Sequence, residues 1–212
     1  MAPVGQAFSL PPQLPSRHVF LGLDLGRRHD PAALAILHRV PEPTGRWNSV
    51  DWQSEVEIAF HLHHVERFPL GTPYTAIVEK VVRLVHHLPA HLDGLKTLVV
   101  DASGVGAPVV EMLRRARPRC RIIPITITAS GHARLDGYGG YLVPRRDLIT
   151  ALRVLLERRL LRIPSAIHDK QALLNELLTL SDASGSHHDD LAIATALAAW
   201  QAARGLLPHA TN

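Results

Sequence analysis

Apolar and polar positions alternate along this chain with two different periods, and each period marks a type of element. HVFLGLDLG (18–26) is a short apolar run ended by glycine and reads as a buried strand. PAALAILHRV (31–40) is a second strand, reached through a tight RRHDP turn, and EPTGRWNS then turns the chain into a third, SEVEIAFHLHHVERF (54–68), with clear alternation. Short connections make these three an antiparallel meander. The period changes in TPYTAIVEKVVRLVHHL (72–88), where Ile77, Val78, Val81, Val82, Val85 and Leu88 form one helical stripe behind a Thr72-Pro73 start signal. GLKTLVVDASG (94–104), the helix VGAPVVEMLRRA and CRIIPITIT (120–128) compose a β-α-β unit, which implies parallel pairing. A glycine-rich stretch (129–142) follows, then an amphipathic helix (144–160) with Leu148, Leu152, Leu155 and Leu156 inside, a short extended piece, a helix at 167–180, a turn, and a last, very apolar helix from Asp189. The expected architecture is α/β: a mixed five-stranded sheet, three antiparallel strands then two parallel, flanked by helices.

Composition adds limits. At 212 residues, with 46% apolar and 20% charged, the chain has room for a substantial core. Residues 1–16, rich in proline and without a period, read as a disordered arm; residues 17–205 as one domain; residues 206–212 as a flexible tail. No stretch resembles a signal peptide or a membrane span, and the single cysteine, Cys120, excludes an intramolecular disulfide and a thiolate zinc site. A cytoplasmic location, away from membranes, is expected. The formal charge of +4 is compatible with nucleic-acid binding without establishing it. Arginines cluster at Arg27-Arg28, 114–121, Arg145-Arg146 and 158–162, and arginine suits bidentate phosphate contact.

Three acidic positions stand out. Asp24 lies among leucines in the first strand, where a carboxylate is costly unless paired or coordinated. Asp101 ends the fourth strand, and Asp189-Asp190 open the last helix. One Asp at a helix start is ordinary, because it serves the free N–H groups and the positive dipole end. A second adds repulsion that capping does not need, so an arginine, a helix end or a metal ion is expected opposite the pair. Each acid also has a bland role: Asp24 bonded to turn amides, Asp101 capping its turn, Asp189 as N-cap with Asp190 as dipole partner. If strands one and four are neighbours, all three positions converge, and the joint reading is a metal site. Oxygen-only donors suit Mg²⁺ or Mn²⁺, and two such ions serve phosphodiester cleavage.

The order of elements is that of ribonuclease H-like domains. GLDLGRRHDPAALAIL, VVDASGVGAPVVEML, VPRRDLITAL and SHHDDLAIATALAAW together resemble the C-terminal nuclease domain of phage terminase large subunits, over residues 18 to 203. The resemblance implies a metal-dependent endonuclease acting on double-stranded DNA, with Asp24 as the first-strand acid, Asp101 as the fourth-strand acid and Asp189 or Asp190 as the final-helix acid. A terminase large subunit also carries an ATPase domain. No G-x-x-x-x-G-K-[ST] occurs here, so a separate packaging ATPase or portal component is an expected partner. A Holliday-junction-resolvase-like nuclease and a non-catalytic DNA-binding or assembly module remain alternatives. An actin-like phosphotransferase and a dinucleotide binder fit the length and the glycine pattern less well.

Secondary candidates surround these acids. Arg27, Arg28, Arg145 and Arg146 are placed to meet DNA phosphates, which would position substrate without reading sequence. His188, beside His187, is within reach of a phosphate or metal. Asp30 reads as a turn residue, Lys80 as a solvated helix side chain, and His63-His64 and His86-His87 as surface. The glycine-rich loop with Tyr138 and Tyr141 reads as a DNA-facing flap or as a plain surface loop.

Overall fold

The computed structural model describes residues 17–26, 30–50, 52–92, 94–104, 106–180 and 189–204. The expected arm and tail, together with Arg27, Arg28, His187 and His188, lie outside the described residues. The expected strands are all present as β1 (His18–Asp24), β2 (Ala33–Asn48), β3 (Gln53–Arg67), β4 (Leu95–Asp101) and β5 (Arg121–Thr128). Three short strands extend the expected five to eight: β6 (Arg134–Leu135) and β7 (Tyr141–Pro144), both inside the glycine-rich stretch, and β8 (Leu161–Arg162). Their order across the sheet is β6-β7-β5-β4-β1-β2-β3-β8. β2 runs antiparallel to β1 and β3, whereas β4 lies parallel to β1 and β5 parallel to β4.

One expected turn is corrected. Much of EPTGRWNS belongs to paired strand, since Pro43 faces Val56 and Trp47 faces Ser54. β1 begins opposite Arg39, so beyond that point β2 has a partner on one side only, and its prolines are tolerated there.

Period-2 alternation sends the strands' side chains into two cores. Val19, Leu21, Leu23, Leu34, Ile36, Leu98 and Val100 face α1 (Tyr74–His86) and α2 (Gly106–Ala116). Phe20, Ala33, Ala35, Leu37, Val65 and Val99 face α3 (Arg145–Glu157), α4 (Lys170–Thr179) and α5 (Asp190–Ala203). The stripe read in α1 is borne out: Ile77, Val78, Val81 and Val85 are buried. α5 is buried almost all round, from Asp190 to Ala203 apart from Gln201, which is the pattern of a helix packed in a core. Its alanines sit directly on β1. A Cβ on Gly22 would collide with the Ala194 carbonyl oxygen and lie 2.9 Å from the Ala198 nitrogen. Glycine at this point therefore sets the close approach that brings the start of α5 over the sheet.

Candidate functional site

Strand register alone assembles one row of side chains. Asp24 faces Ala33 on β2, and Ala33 faces Arg67 on β3. On the other side, Leu23 pairs with Val100, so Asp24 and Asp101 end adjacent parallel strands at one level. All four residues alternate with members of the α5-side core (Asp24 with Phe20 and Gly22, Asp101 with Val99, Arg67 with Val65), so they share that face. Ala33 is the small member of the row and leaves space above it. α5 brings Asp190 onto this face, 6% exposed, with Asp189 before it.

The electrostatics report the convergence. The Asp24 carboxyl is held well above the usual carboxylate range, first by burial and then by the charges of Asp101, Asp190 and Asp189, with Arg145 opposing. All four expected acids are thus within electrostatic reach of one point. Asp101 also fills its bland role, because one carboxylate oxygen accepts the Ser103 N–H at 2.8 Å. Asp189 does not: it stands at the N-cap but makes no side-chain cap bond, and its carboxylate pairs with Arg145. Asp190 lies 3.5 Å from the Nε of Arg67. Each member of the Asp pair therefore faces its own arginine, one of the three partners that the doubled charge called for.

Two contributors were not singled out from sequence. Arg67 bridges Asp190 and the buried Glu176, and Glu176 accepts the Ala192 N–H of α5 at 2.8 Å. Burial pushes the Glu176 carboxyl up to about 7, against the pull of that N–H and of Arg67, with Asp190 and Asp189 adding to the rise. Arg145, expected at DNA phosphates, is engaged by Asp189. Arg146 donates to the Gly131 carbonyl at 2.7 Å and anchors the glycine-rich stretch. Within that stretch, Tyr138 is exposed, while Tyr141 packs edge-on against Trp200 and under Arg204. Asp30 is exposed in a bend. Lys80 pairs with Glu66 and lies over Phe68, so it is more than a solvated side chain.

The opposite end of the sheet holds a different cluster. His38 pairs with His61 across β2 and β3, five residues along β2 from Ala33, roughly 17 Å at the rise of a strand. The register passes from Ile36–His64 to Leu37–Leu62, leaving His63 as an extra residue in a bulge. The His63 ring stands 5.7 Å from that of His38, 6.1 Å from His61 and 5.5 Å from His91, in a 3-10 turn after α1. His63 is half-buried and His38 is buried, so the expected surface role for His63 is corrected. Burial, followed by the neighbouring imidazoles and Arg17, lowers His38 to about 4.

Comparison of the fold with solved structures decides its kind. The manganese-soaked human cytomegalovirus terminase nuclease domain superposes with a TM-score of 0.55 over 85% of this chain and 81% of that one, at 14% identity. The human cytomegalovirus terminase nuclease domain gives 0.54 at 16% identity, covering 86% and 82%. The manganese-soaked, inhibitor-bound form gives 0.51 at 16% identity, covering 85% and 81%. This chain has the ribonuclease H-like fold of a terminase nuclease domain. No protein-family model and no curated protein matches it. Within the terminase nuclease fold, the acid row lies at the C-terminal ends of β1 and β4 beneath the start of α5. No helix among the described residues is long and apolar enough to cross a membrane.

Proposed function

We propose that the chain is a metal-dependent endonuclease that hydrolyses phosphodiester bonds in double-stranded DNA. The observation that carries this reading is the Asp24 carboxyl, crowded by Asp101, Asp190 and Asp189 at the ends of two parallel strands. Such a group needs either a proton or a cation. Among the described residues, no group of three or more His, Cys, Asp or Glu is drawn close enough to hold an ion as it stands, and Arg145 and Arg67 balance two of the acids. The donor chemistry nevertheless fits a hard divalent ion, because every candidate ligand is a carboxylate oxygen. Asp24, Asp101 and Asp190 would hold Mg²⁺ or Mn²⁺, with Asp189 beside them. When bound, such ions activate a water and stabilise the leaving oxygen.

The chain's own residues supply the rest. The rigid β1–β4 pair holds Asp24 and Asp101 at one level, and α5, seated on Gly22, presents Asp190. Arg146 and, beyond the described residues, Arg27, Arg28 and His188 would meet the DNA backbone and fix its position, while Arg145 stays with Asp189. A packaging ATPase or portal component is the partner this reading proposes. Incubation of supercoiled plasmid with Mn²⁺, Mg²⁺ or EDTA, with Asp24→Asn in parallel, tests the reading. Metal-dependent nicking that the substitution removes supports it. Folded protein inert with every metal points instead to a binding or assembly module.

A further inference from the structure

The geometry points to Glu176 and Arg67 as positioning residues: Glu176 caps α5 in place of Asp189, and Arg67 orients Asp190. This rests on the nuclease reading for what Asp190 does, and it begins from a vacancy in ordinary helix chemistry. The first turn of a helix has N–H groups without intrahelical partners, usually served by the N-cap side chain. Here the N-cap is Asp189, and it makes no such bond. The N–H of Ala192 is served instead by Glu176 Oε2 at 2.8 Å, from α4. A capping carboxylate supplied from another helix leaves Asp189 to pair with Arg145 while Asp190 faces Arg67 over the row on the sheet.

The second oxygen of Glu176 accepts from Arg67 Nη2. Arg67 Nε lies 3.5 Å from Asp190 Oδ2. One guanidinium thus spans two carboxylates, a task for a planar fork rather than for the point charge of lysine. Arg67 is held in turn by its backbone, whose N–H meets Asp169 Oδ2 at 3.3 Å at the start of α4. The path runs from β3 through α4 to the first turn of α5. With both oxygens engaged and only 5% exposure, Glu176 is a holder of the site rather than one of its ligands. A carboxylate buried this far is costly unless fully paired, and its partners are the helix and the arginine that touches Asp190.

Two conservative substitutions test this. Glu176→Gln keeps an oxygen for the Ala192 N–H and gives up the charge that holds Arg67. Arg67→Lys keeps a charge and gives up the fork. Each variant and the wild type are assayed for plasmid cleavage across Mn²⁺ concentration, for the rise in Tm that Mn²⁺ produces, and for amide exchange at Ala192. The expected result is folded protein with Ala192 protection retained in Glu176→Gln, and a half-saturating Mn²⁺ concentration raised roughly tenfold or more in both variants, the usual scale for groups that orient metal ligands. Wild-type Mn²⁺ dependence in either variant, or activity lost only in proportion to folded protein, overturns the proposal. A wild type that does not cleave overturns the nuclease reading, and the positioning role is then decided by the Mn²⁺-induced Tm shifts of the three proteins. A wild type whose Tm also ignores Mn²⁺ overturns both.

Discussion

The two ends of this sheet crowd like groups together and settle the crowding in opposite ways. At one end, Asp24, Asp101, Asp189 and Asp190 meet under the start of α5. At the other, His38, His61, His63 and His91 gather on the α1 side. Imidazoles have a neutral form available at physiological pH, so burial and the neighbouring imidazoles move the titration of His38 and His63 downward and favour their neutral form. Carboxylates at the same pH have no such exit. Asp24 keeps its proton far above the normal range, and Asp189 and Asp190 each engage an arginine. A crowd of like titratable groups is therefore a functional signal when its neutral form is out of reach at working pH. By that criterion the acid end is where we propose the active centre, and the histidine end reads as packing.

Asp24→Asn is the largest break in the comparison. Plasmid cleavage is expected to fall to the level of the EDTA control, because the central carboxylate of the row is gone. The same substitution is expected to stabilise the metal-free protein at neutral pH. The sign follows from linkage. With its folded-state value raised, Asp24 leaves stability untouched while the pH is below its ordinary value near 4. As the pH climbs further, the unfolded chain releases this proton and the folded chain retains it, so stability falls until the folded carboxyl also ionises. The difference in Tm between variant and wild type should widen from pH 4 to pH 7 without metal, and it should shrink or reverse when Mn²⁺ is added. A difference that is flat with pH would show that the acids do not crowd Asp24.

Gly22→Ala comes next and attacks the acid end without touching a charge. The added methyl would meet the backbone of α5 at Ala194 and Ala198, and a backbone cannot swing aside as a side chain can. Destabilisation of roughly 3 kcal/mol or more is expected, the upper range for overpacking, read by urea denaturation. Cleavage should suffer beyond the loss of folded protein, since α5 must lift away from Asp24. The histidine end, without a helix so tightly seated on its strands, should keep its imidazole titrations in NMR spectra of the folded fraction.

How much of each end was legible in the sequence follows from the same geometry. The antiparallel meander, the parallel β4–β5 pair and the three acidic positions were readable because period-2 alternation and a β-α-β crossover are local patterns with few spatial solutions, whereas the neighbouring of β1 and β4 entered only as a condition. Arg67 was not readable, and the bulge at His63 is the reason. Strict alternation from Phe60 and Leu62 would put Glu66 on the α5 face. The extra residue reverses the parity, so that Val65 and Arg67 face α5 while Glu66 pairs with Lys80 of α1. Glu176 was hidden for another reason: one of its partners is a backbone N–H, which leaves no trace in the sequence, and the other is the unread Arg67. The same bulge gathered His63, which read as surface, into a cluster with His61 and His38.

The smallest expected effect belongs to the histidine end. His38 is 4% exposed and its Nε2 has no hydrogen-bond partner among the described residues, so the folded chain holds it neutral down to about 4. Above its ordinary value near 6.5 the ring is neutral in both states and costs nothing. As the pH falls from 6.5 towards 4, the unfolded chain takes up a proton that the folded chain refuses, and stability declines over that window. His38→Leu removes the titration and fills the site with an apolar side chain continuing the face of Leu34 and Ile36. Its acid unfolding midpoint should move to lower pH, while Mn²⁺-dependent cleavage near pH 7.5 stays at the wild-type level. The opposite pairing, with an unchanged acid limb and damaged cleavage, would mean that the two ends are coupled through β2 and that the histidines belong to the active centre after all.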